Sequence, residues 1–163
     1  MDKITITNAK TEDLAEIMRI YAYARQFMKN TGNATQWGNG YPSEAILNED
    51  IEQNNLYIIQ DSGRICGAFA FIIGKDETYS VIEDGAWLSD STYGTIHRVA
   101  GDGTVCGIFE YVLQFCEEKI EHLRIDTHND NKVMQHIIEK NGFTRCGIIY
   151  ADDGTKRIAY EKL

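Results

Sequence analysis

The sequence predicts an α/β fold, in which a mixed sheet carries helices on its faces. Short runs that alternate apolar and polar residues, many of them β-branched, indicate strands. Longer runs with apolar residues at every third or fourth position indicate helices. Along the chain these elements follow the order β-α-α-β-β-(β)-β-α-β-α-β-β, without a repeat or a linker. At 163 residues, we expect a single domain that spans 1–163.

The N-terminal part supplies one strand and two helices. Residues 3–8 (KITITN) alternate as a strand. A helix is expected from Thr11, because a capping hydroxyl followed by two acids favours a helix start. A second, short helix is predicted over 43–54, with Ser43 as its cap.

A loop between these two helices contains aromatic residues. Residues 30–42 (NTGNATQWGNGYP) are rich in helix and strand breakers, yet they include Trp37 and Tyr41. Aromatic side chains in a loop either cover a pocket or plug into the core. Both interpretations stay open.

The middle of the chain predicts a hairpin and one further strand. Residues 56–60 and 64–73 indicate strands, and the Asp-Ser-Gly between them is typical of a hairpin turn. Residues 79–88 indicate another strand, although Gly85 leaves its limits open.

A strand that ends in glycines and leads into an apolar helix lies at the centre of the sequence. Residues 95–100 alternate as a strand, Gly-Asp-Gly at 101–103 breaks it, and a helix with Gly107 in its first turn runs to Lys119. Glycines let a backbone approach a ligand, and a helix start exposes N–H groups with partial positive charge. The stretch is therefore either an anion site, most often for phosphate, or a tight turn.

The C-terminal part predicts a strand, a helix and a hairpin. Residues 122–127 alternate as a strand, and 129–141 form a helix capped by Asn129 or Asp130. Gly142 is expected in the left-handed conformation that ends a helix. The chain closes with a hairpin of two strands, 144–150 and 157–162.

The composition argues against nucleic-acid binding and against a bound metal. The formal net charge is −9, and no cluster of Lys and Arg supplies the basic face that nucleic acids require. An acidic surface favours a cationic partner, although it also serves solubility. At 126–131 the acids and the histidine are adjacent rather than spaced as ligands for one ion, so we expect no metal.

The sequence also indicates a cytoplasmic protein without membrane contact. The four cysteines have no C-x-x-C spacing, and no charged-then-apolar leader stands at the N-terminus. The longest apolar run, 67–74, is too short to span a bilayer.

The order of elements and the second half of the chain resemble the GNAT superfamily of N-acetyltransferases, which transfer an acetyl group from acetyl-CoA to an amine. The glycine-containing turn from strand to helix matches the superfamily's pyrophosphate loop. NKVM at 131–134, followed by EKNGF at 139–143, looks like its asparagine-then-EKxGF segment, which flanks the pantetheine and thiol end of the cofactor. The resemblance covers essentially the whole chain. It implies a GNAT-like mixed, largely antiparallel sheet of six to seven strands, flanked by about four helices.

The resemblance also implies which residues bind acetyl-CoA. The family pattern Q/R-x-x-G-x-G/A falls on 104–109, where Gly107 matches the middle glycine. Thr104 replaces Gln or Arg, which is compatible with a site made of backbone N–H groups. Phe109 replaces a small residue, and its ring would narrow the site. The implied cofactor-binding residues are Val99, Ala100, Thr104, Val105, Cys106, Gly107, Ile108, Phe109 and Asn131.

The implied reaction requires a base. An alkylamine has a pKa of about 10.4 and attacks only when it is neutral. Superfamily members often take a base from the strand before the loop or from its neighbour, and here the candidates are His97, Glu83 and Asp84. The imidazole of His97 is suited to this task. The alternatives are that His97 is a structural histidine and that Glu83 and Asp84 are solvated acids at the end of a strand. A backbone N–H near Val99 would hold the thioester oxygen as it becomes negative.

One position departs from the chemistry of the family. Many members have a tyrosine before the Glu-Lys of the EKxGF segment, where it protonates the departing thiolate, and this chain has Ile138. A CoA thiol has a pKa near that of cysteine, about 8.5, so its thiolate is a fair leaving group. Water or another hydroxyl can then serve as the donor.

The leading interpretation is an N-acetyltransferase that acts on a primary amine of a small molecule or a peptide, by direct attack in a ternary complex. We place Trp37 and Tyr41 in the acceptor pocket. The alternative is a catalytically weak acyl-CoA-binding sensor or interaction domain, for which Ile138 and Phe109 argue. The sequence leaves a homodimer open.

Overall fold

The computed structural model describes residues 3–163. Within this range seven strands form one sheet: β1 (Ile4–Asn8), β2 (Leu56–Asp61), β3 (Arg64–Ile73), β4 (Gly94–Gly101), β5 (Leu123–Thr127), β6 (Thr144–Tyr150) and β7 (Lys156–Lys162). Their order in the sheet is β1-β2-β3-β4-β5-β7-β6. The β4–β5 pair is parallel, and the other neighbours are antiparallel. The predicted mixed, largely antiparallel sheet is confirmed.

Helices cover both faces of the sheet. The described chain contains four α-helices: α1 (Leu14–Asn30), α2 (Glu44–Glu52), α3 (Ile108–Glu117) and α4 (Lys132–Lys140). α1 and α2 enclose one buried apolar core, which includes Ile17, Ile20, Tyr21, Leu47, Ile58, Ala68 and Ala100. α3 and α4 enclose a second core on the opposite face, which includes Phe69, Ile96, Val112, Leu113, Ile125 and Ile138. None of the helices in residues 3–163 is long and apolar enough to cross a membrane.

Both predicted hairpins are confirmed. β2 and β3 are joined by a turn in which Ser62 and Gly63 have positive φ angles (51° and 88°), as a tight hairpin connection requires. β6 and β7 pair in the same antiparallel way around Gly154, whose φ is 81°.

The helix caps are confirmed for α2 and corrected for α4. Ser43 Oγ accepts a hydrogen bond from the Ile46 N–H of α2 (3.2 Å). α4 is capped by Asn131, whose Oδ1 accepts from the Met134 N–H (3.0 Å), and not by Asn129 or Asp130. The two earlier residues lie in a turn that precedes the helix.

The predicted strand over 79–88 is wrong. Residues 74–93 (the 74–93 segment) connect β3 to β4 through a 3₁₀ turn at Glu77–Tyr79 and an irregular path. Glu83 makes one isolated bridge to Ile148 of β6. Gly85 lies so close to β6 that a Cβ there would be 1.9 Å from the Cys146 carbonyl oxygen. Three backbone hydrogen bonds to β6 thus take the place of a strand: two join Glu83 and Ile148, and one runs from the Ala86 N–H to the Cys146 carbonyl oxygen.

A buried carboxylate joins β5 to β7. The side chain of Glu161 is fully buried, and its Oε2 accepts hydrogen bonds from Arg124 Nε (2.7 Å) and His122 Nε2 (2.5 Å). Burial alone would raise the pKa of Glu161, but the hydrogen bonds from His122 and Arg124 outweigh it and hold the pKa below its usual value. The carboxylate is therefore ionised at neutral pH and is matched by the arginine.

The same arginine anchors the 74–93 segment. The guanidinium carbon of Arg124 lies 3.9 Å from the ring centre of Trp87 and 4.0 Å from that of Tyr93, so it is stacked between two aromatic rings. Its Nη2 donates to the Ser89 carbonyl oxygen (2.8 Å), and Glu161 Oε1 accepts from the Leu88 N–H (2.5 Å). These side-chain contacts hold the segment in place together with its backbone hydrogen bonds to β6.

We predict that Glu161→Gln lowers the free energy of unfolding by about 3 kcal/mol, because it leaves the buried Arg124 without a counter-charge. Urea denaturation at pH 7 measures the difference. The matched control is Glu117→Gln, which removes an exposed carboxylate 3.4 Å from Lys162 and should change stability by less than about 1 kcal/mol. Equal stability of the two variants would contradict the assigned role of Glu161.

Candidate active site

The site lies where β4 and β5 separate. The two parallel strands pair at only two positions, Gly94 with Leu123 and Thr95 with Arg124. Beyond Thr95 they diverge, and the space between them opens into a cavity of about 720 Å³. Its other walls come from α1, the loop 31–41, α4 and the turn between β6 and β7.

The cavity reaches both faces of the sheet. Side chains alternate along a strand, so Ile96 and His97 lie on opposite faces of β4, and Ile125 and Asp126 on opposite faces of β5. All four line the cavity. Ile96 and Ile125 belong to the core beneath α3 and α4, which defines the α4 side of the cavity. His97 and Asp126 define the opposite, His97 side.

A β-bulge shapes the β4 wall. Ala68 pairs with Ala100 and Ala70 with His97, so Arg98 and Val99 together face the single β3 residue between them. Arg98 has a φ of 53°, which is uncommon for a residue other than glycine. The bulge turns the backbone around Val99, a predicted oxyanion donor, towards the cavity that Val99 lines.

Polar contacts hold this bulge in its unusual conformation. The Tyr21 hydroxyl donates to the Arg98 carbonyl oxygen (2.8 Å), and burial raises the pKa of that hydroxyl so that it stays protonated. The Arg98 guanidinium donates to Asp50 Oδ2 (2.5 Å) and to the Tyr41 hydroxyl (3.3 Å). The conformation of β4 is therefore supported by α1, α2 and the loop 31–41.

His97 and Asp76 form a hydrogen-bonded pair on the His97 side. His97 Nε2 donates to Asp76 Oδ2 at 2.9 Å, which leaves Nδ1 of the neutral ring without a proton. Asp76 Oδ1 accepts from the N–H and hydroxyl of Thr78 (2.9 and 2.6 Å). Burial alone would raise the pKa of Asp76, but the hydrogen bonds from His97 and Thr78 outweigh it and lower the pKa to about 2. The histidine thus has a permanently ionised partner.

A second carboxylate lies beside this pair. The hydroxyl of buried Tyr79 donates to Asp126 Oδ2 (2.7 Å), and burial raises the pKa of Tyr79 far above its ordinary value. The Tyr79 ring also lies next to His97, with 6.4 Å between ring centres. Sequence reasoning missed Asp76, Tyr79 and Asp126 as site residues. The alternation of 122–127 signals Asp126, which a strand would place across from Ile125, whereas no pattern marks Asp76.

The structure does not bring the other two candidate bases to the cavity. Glu83 lies on the far part of the 74–93 segment, where it bridges to Ile148 and accepts a hydrogen bond from the Tyr150 hydroxyl (2.9 Å). Asp84 follows it with a φ of 55°. Neither residue lines the cavity, because the segment that carries them is not the strand that was expected.

The predicted aromatic residues do line the cavity. Trp37 is buried and packs edge-on against Tyr21, with 5.6 Å between ring centres. Tyr41 is partly exposed and lies 6.2 Å from Trp37. Trp37 therefore fills the core beneath α1 and forms a wall of the cavity at the same time. The two interpretations of this loop were not exclusive.

Gln36 ties the same loop to the far side of the cavity. Its Oε1 accepts a hydrogen bond from Asn131 Nδ2 (3.1 Å), and its carbonyl oxygen accepts from Arg157 Nη2 (3.5 Å). Asn131 caps α4, so this contact connects the loop 31–41 directly to the α4 side.

The predicted phosphate loop precedes α3. Gly107 has a left-handed conformation (φ 72°) immediately before the helix, and no side chain caps the first helical turn. The N–H groups of the first turn of α3 are therefore left without a side-chain cap, as an anion site at a helix N-terminus would require. The Thr104 N–H instead donates a hydrogen bond to Asp102 Oδ1 (3.1 Å).

Two arginines neutralise the carboxylate next to this loop. Buried Asp102 accepts hydrogen bonds from Arg64 Nη1 (2.9 Å) and from Arg19 (3.4 Å). Burial alone would raise the pKa of Asp102, but the hydrogen bonds from Thr104 and Arg64 hold it below its usual value. Arg19 also pairs with Glu16 (3.0 Å), so two guanidinium groups are matched by two carboxylates and their formal charges balance.

The expectation that the ring of Phe109 would narrow the site is wrong. Phe109 is buried beneath α3, with its ring centre 6.3 Å from that of Phe143. It shares the sheet-facing side of the helix with Val112, Leu113 and Cys116, as the helical period requires. The ring therefore packs in the core, away from the exposed helix start.

Solved structures are similar to this chain over nearly its whole length. An acetyltransferase of the GNAT family from Streptococcus agalactiae is 32% identical, with a TM-score of 0.88, and the match covers 98% of this chain and 95% of that one. The chain belongs to the GNAT family of acetyltransferases. GNAT-family acetyltransferases from Listeria monocytogenes and Bacillus cereus, each 18% identical, share the fold at TM-scores of 0.71 and 0.63. Those matches cover 98% and 99% of this chain, and 94% and 99% of the other chains. No protein-family model and no curated protein sequence matches the chain.

Two positions that the GNAT resemblance singled out belong to α4: Asn131 caps the helix and Ile138 lies within it. Asn131 lines the cavity, and both polar atoms of its side chain are engaged, Oδ1 by the Met134 N–H and Nδ2 by Gln36. Ile138 is fully buried in the core and does not line the cavity. This chain therefore places no hydroxyl at this position.

The hydrogen bonds that Asp76 accepts from His97 and Thr78 predict a pH-dependent loss of stability. Since the folded-state pKa of Asp76 is about 2 and an unfolded aspartate titrates near 3.9, the stabilisation is complete above about pH 4 and is lost as the pH falls towards 2. We expect Asp76→Asn to lose about 2 kcal/mol at pH 7, with a difference from the wild type that shrinks below pH 4.

Urea denaturation of both proteins between pH 3 and pH 7 measures this effect. Asp152→Asn, at an exposed position on the rim of the same cavity, is the control and should keep wild-type stability. A difference between Asp76→Asn and the wild type that does not change with pH would show that ionisation of Asp76 does not contribute to the stability.

Proposed function

We propose that the protein transfers an acetyl group from acetyl-CoA to a primary amine of a small molecule or a peptide, by direct attack in a ternary complex. The observation that carries the proposal is the cavity between the diverging strands, which joins the His97–Asp76 pair on one face of the sheet to the α4 side on the other. An acceptor and a donor can meet there from opposite faces.

The α4 side and the phosphate loop suit the donor. Acetyl-CoA supplies the acetyl group as an activated thioester. The uncapped N–H groups at the start of α3, within 104–109, would hold its phosphates. Asn131 would contact its pantetheine arm, and the bulged backbone at Val99 and Ala100 would hold the thioester oxygen.

The His97 side suits the amine. A protonated amine must lose a proton before it attacks, and we assign that proton to Nδ1 of His97, the ring nitrogen that faces away from Asp76. Asp76 fixes the ring orientation and stabilises the imidazolium that forms. Asp126 adds a negative charge that attracts a cationic amine, while Trp37 and Tyr41 form an aromatic wall of the pocket.

The departing thiol needs little help. Ile138 offers no proton, but a thiol with a pKa of about 8.5 leaves readily as the thiolate near neutral pH. We place this chemistry in the cytoplasm, where the four cysteines of the described chain would remain the free thiols that they are in the structure.

The proposal is tested by incubating the purified protein with acetyl-CoA and a panel of small primary amines and short peptides, scored by free thiol release. We expect thiol release that depends on one class of amine and exceeds hydrolysis of acetyl-CoA alone. Tight binding of CoA without turnover on any amine would favour the acyl-CoA sensor, for which the buried Ile138 argues. No binding of CoA would overturn both.

We predict that His97→Ala lowers kcat at neutral pH by about a hundredfold, the usual contribution of a general base, with little change in CoA affinity. The pH–rate profile should lose the limb that reports deprotonation of the base. His136→Ala, which removes an exposed histidine of α4 outside the cavity, is the matched control and should retain wild-type kcat. An unchanged profile for His97→Ala would remove His97 from the mechanism.

A further inference from the structure

A threonine on the α4 side of the cavity has a buried hydroxyl that lacks a partner. Thr127 is the last residue of β5, is 1% exposed and lines the cavity. Within residues 3–163, its Oγ1 makes no hydrogen bond. Buried polar groups are almost always paired, because an unpaired one loses its interaction with water without compensation.

The position of Thr127 in β5 identifies the face of the sheet on which its side chain lies. Thr127 pairs with Ile158 of β7 and lies two residues after Ile125, so both side chains lie on the α4 side of β5. His97 and Asp126 are on the opposite face. The hydroxyl is therefore placed for the donor rather than for the amine.

The surroundings of this hydroxyl are largely apolar. Ile125, Met134 and Ile137 line the α4 side of the cavity around it. Asn131, the other polar residue of this wall, has both side-chain polar atoms engaged, by the Met134 N–H and by Gln36. Thr127 thus offers a free donor and acceptor in an apolar channel. A chain of methylene groups interrupted by amides has the matching chemistry.

We propose that the Thr127 hydroxyl binds an amide group of the pantetheine arm of the acyl-CoA donor, and so positions the arm between β4 and β5. The inference rests on the proposed function. Thr127 is a positioning residue: it contributes to binding of the donor and takes no part in proton transfer. The hydroxyl lowers the stability of the free protein and recovers a hydrogen bond when the donor binds.

Two substitutions at Thr127 and a matched control test this. Thr127→Val replaces the hydroxyl with a methyl group of similar size, and Thr127→Ser keeps it. Thr95→Val is the control, because Thr95 is equally buried (1% exposed) and also has an unpaired hydroxyl within the described chain, but it does not line the cavity. The probes are CoA and adenosine 3′,5′-bisphosphate, which lacks the pantetheine arm, titrated calorimetrically. The melting temperature of each protein without ligand is the second readout.

We expect Thr127→Val to bind CoA about three- to tenfold more weakly, the effect of one hydrogen bond, and to bind the bisphosphate as the wild type does. Thr127→Ser and Thr95→Val should bind both probes within about twofold of the wild type. Without ligand, Thr127→Val should melt at the wild-type temperature or above it, because the unpaired hydroxyl is gone.

Three results would overturn the inference. Unchanged CoA affinity in Thr127→Val, with a lower melting temperature, would make the hydroxyl structural. An equal loss of affinity for CoA and for the bisphosphate would show that Thr127 does not act through the pantetheine arm. If the wild type binds CoA and Thr127→Val binds it with the same affinity at an unchanged melting temperature, the proposed function survives and this inference fails. A wild type that does not bind CoA overturns both.

Discussion

The brevity of the β4–β5 pairing is the constraint on which the rest of this structure depends. Two register pairs are enough to keep the strands parallel and adjacent at their N-terminal ends, and everything beyond them is left open. Continued pairing would satisfy more backbone groups but would close the cavity that reaches both faces of the sheet between residues 96–99 and 125–127. The bulge at Arg98 reinforces the divergence, and its unfavourable φ angle is held by Tyr21 and Asp50.

The His97 side of the cavity is supported from an unexpected direction. Asp76 and Tyr79 belong to the 74–93 segment, which has little regular structure to hold it. Its position is set at its other end, where Arg124 is stacked between Trp87 and Tyr93 and is paired with the buried Glu161. The Tyr93 hydroxyl also accepts a hydrogen bond from the Asp76 N–H (2.8 Å), so this ring connects the Arg124–Glu161 pair to the carboxylate beside His97.

Local patterns were sufficient to predict the fold and one wall of the site. The hairpin turns, the strand 95–100 with the apolar helix after it and the position of Gly107 follow from glycine chemistry and periodicity, which act over a few residues. The placements of Asp76, Tyr79 and Glu83 could not be predicted in this way, because tertiary contacts with β5, β6 and β7 decide the path of an aperiodic segment. The ring of Phe109 was misjudged for a related reason: a motif position does not say which face of the helix a side chain occupies.

The separation of the cavity into two sides has a consequence for how such an enzyme can diversify. The His97 side is built by α1, the 74–93 segment and the loop 31–41, while the α4 side is built by other elements, so changes in one layer leave the packing of the other intact. In the proposed function, new acceptor specificities can therefore arise in the loop while the packing of the α4 side is retained. Gln36 is the junction between these modules, because its side chain and its carbonyl bond to Asn131 and Arg157. A loop transplanted between relatives would have to keep a hydrogen-bond acceptor at that one position.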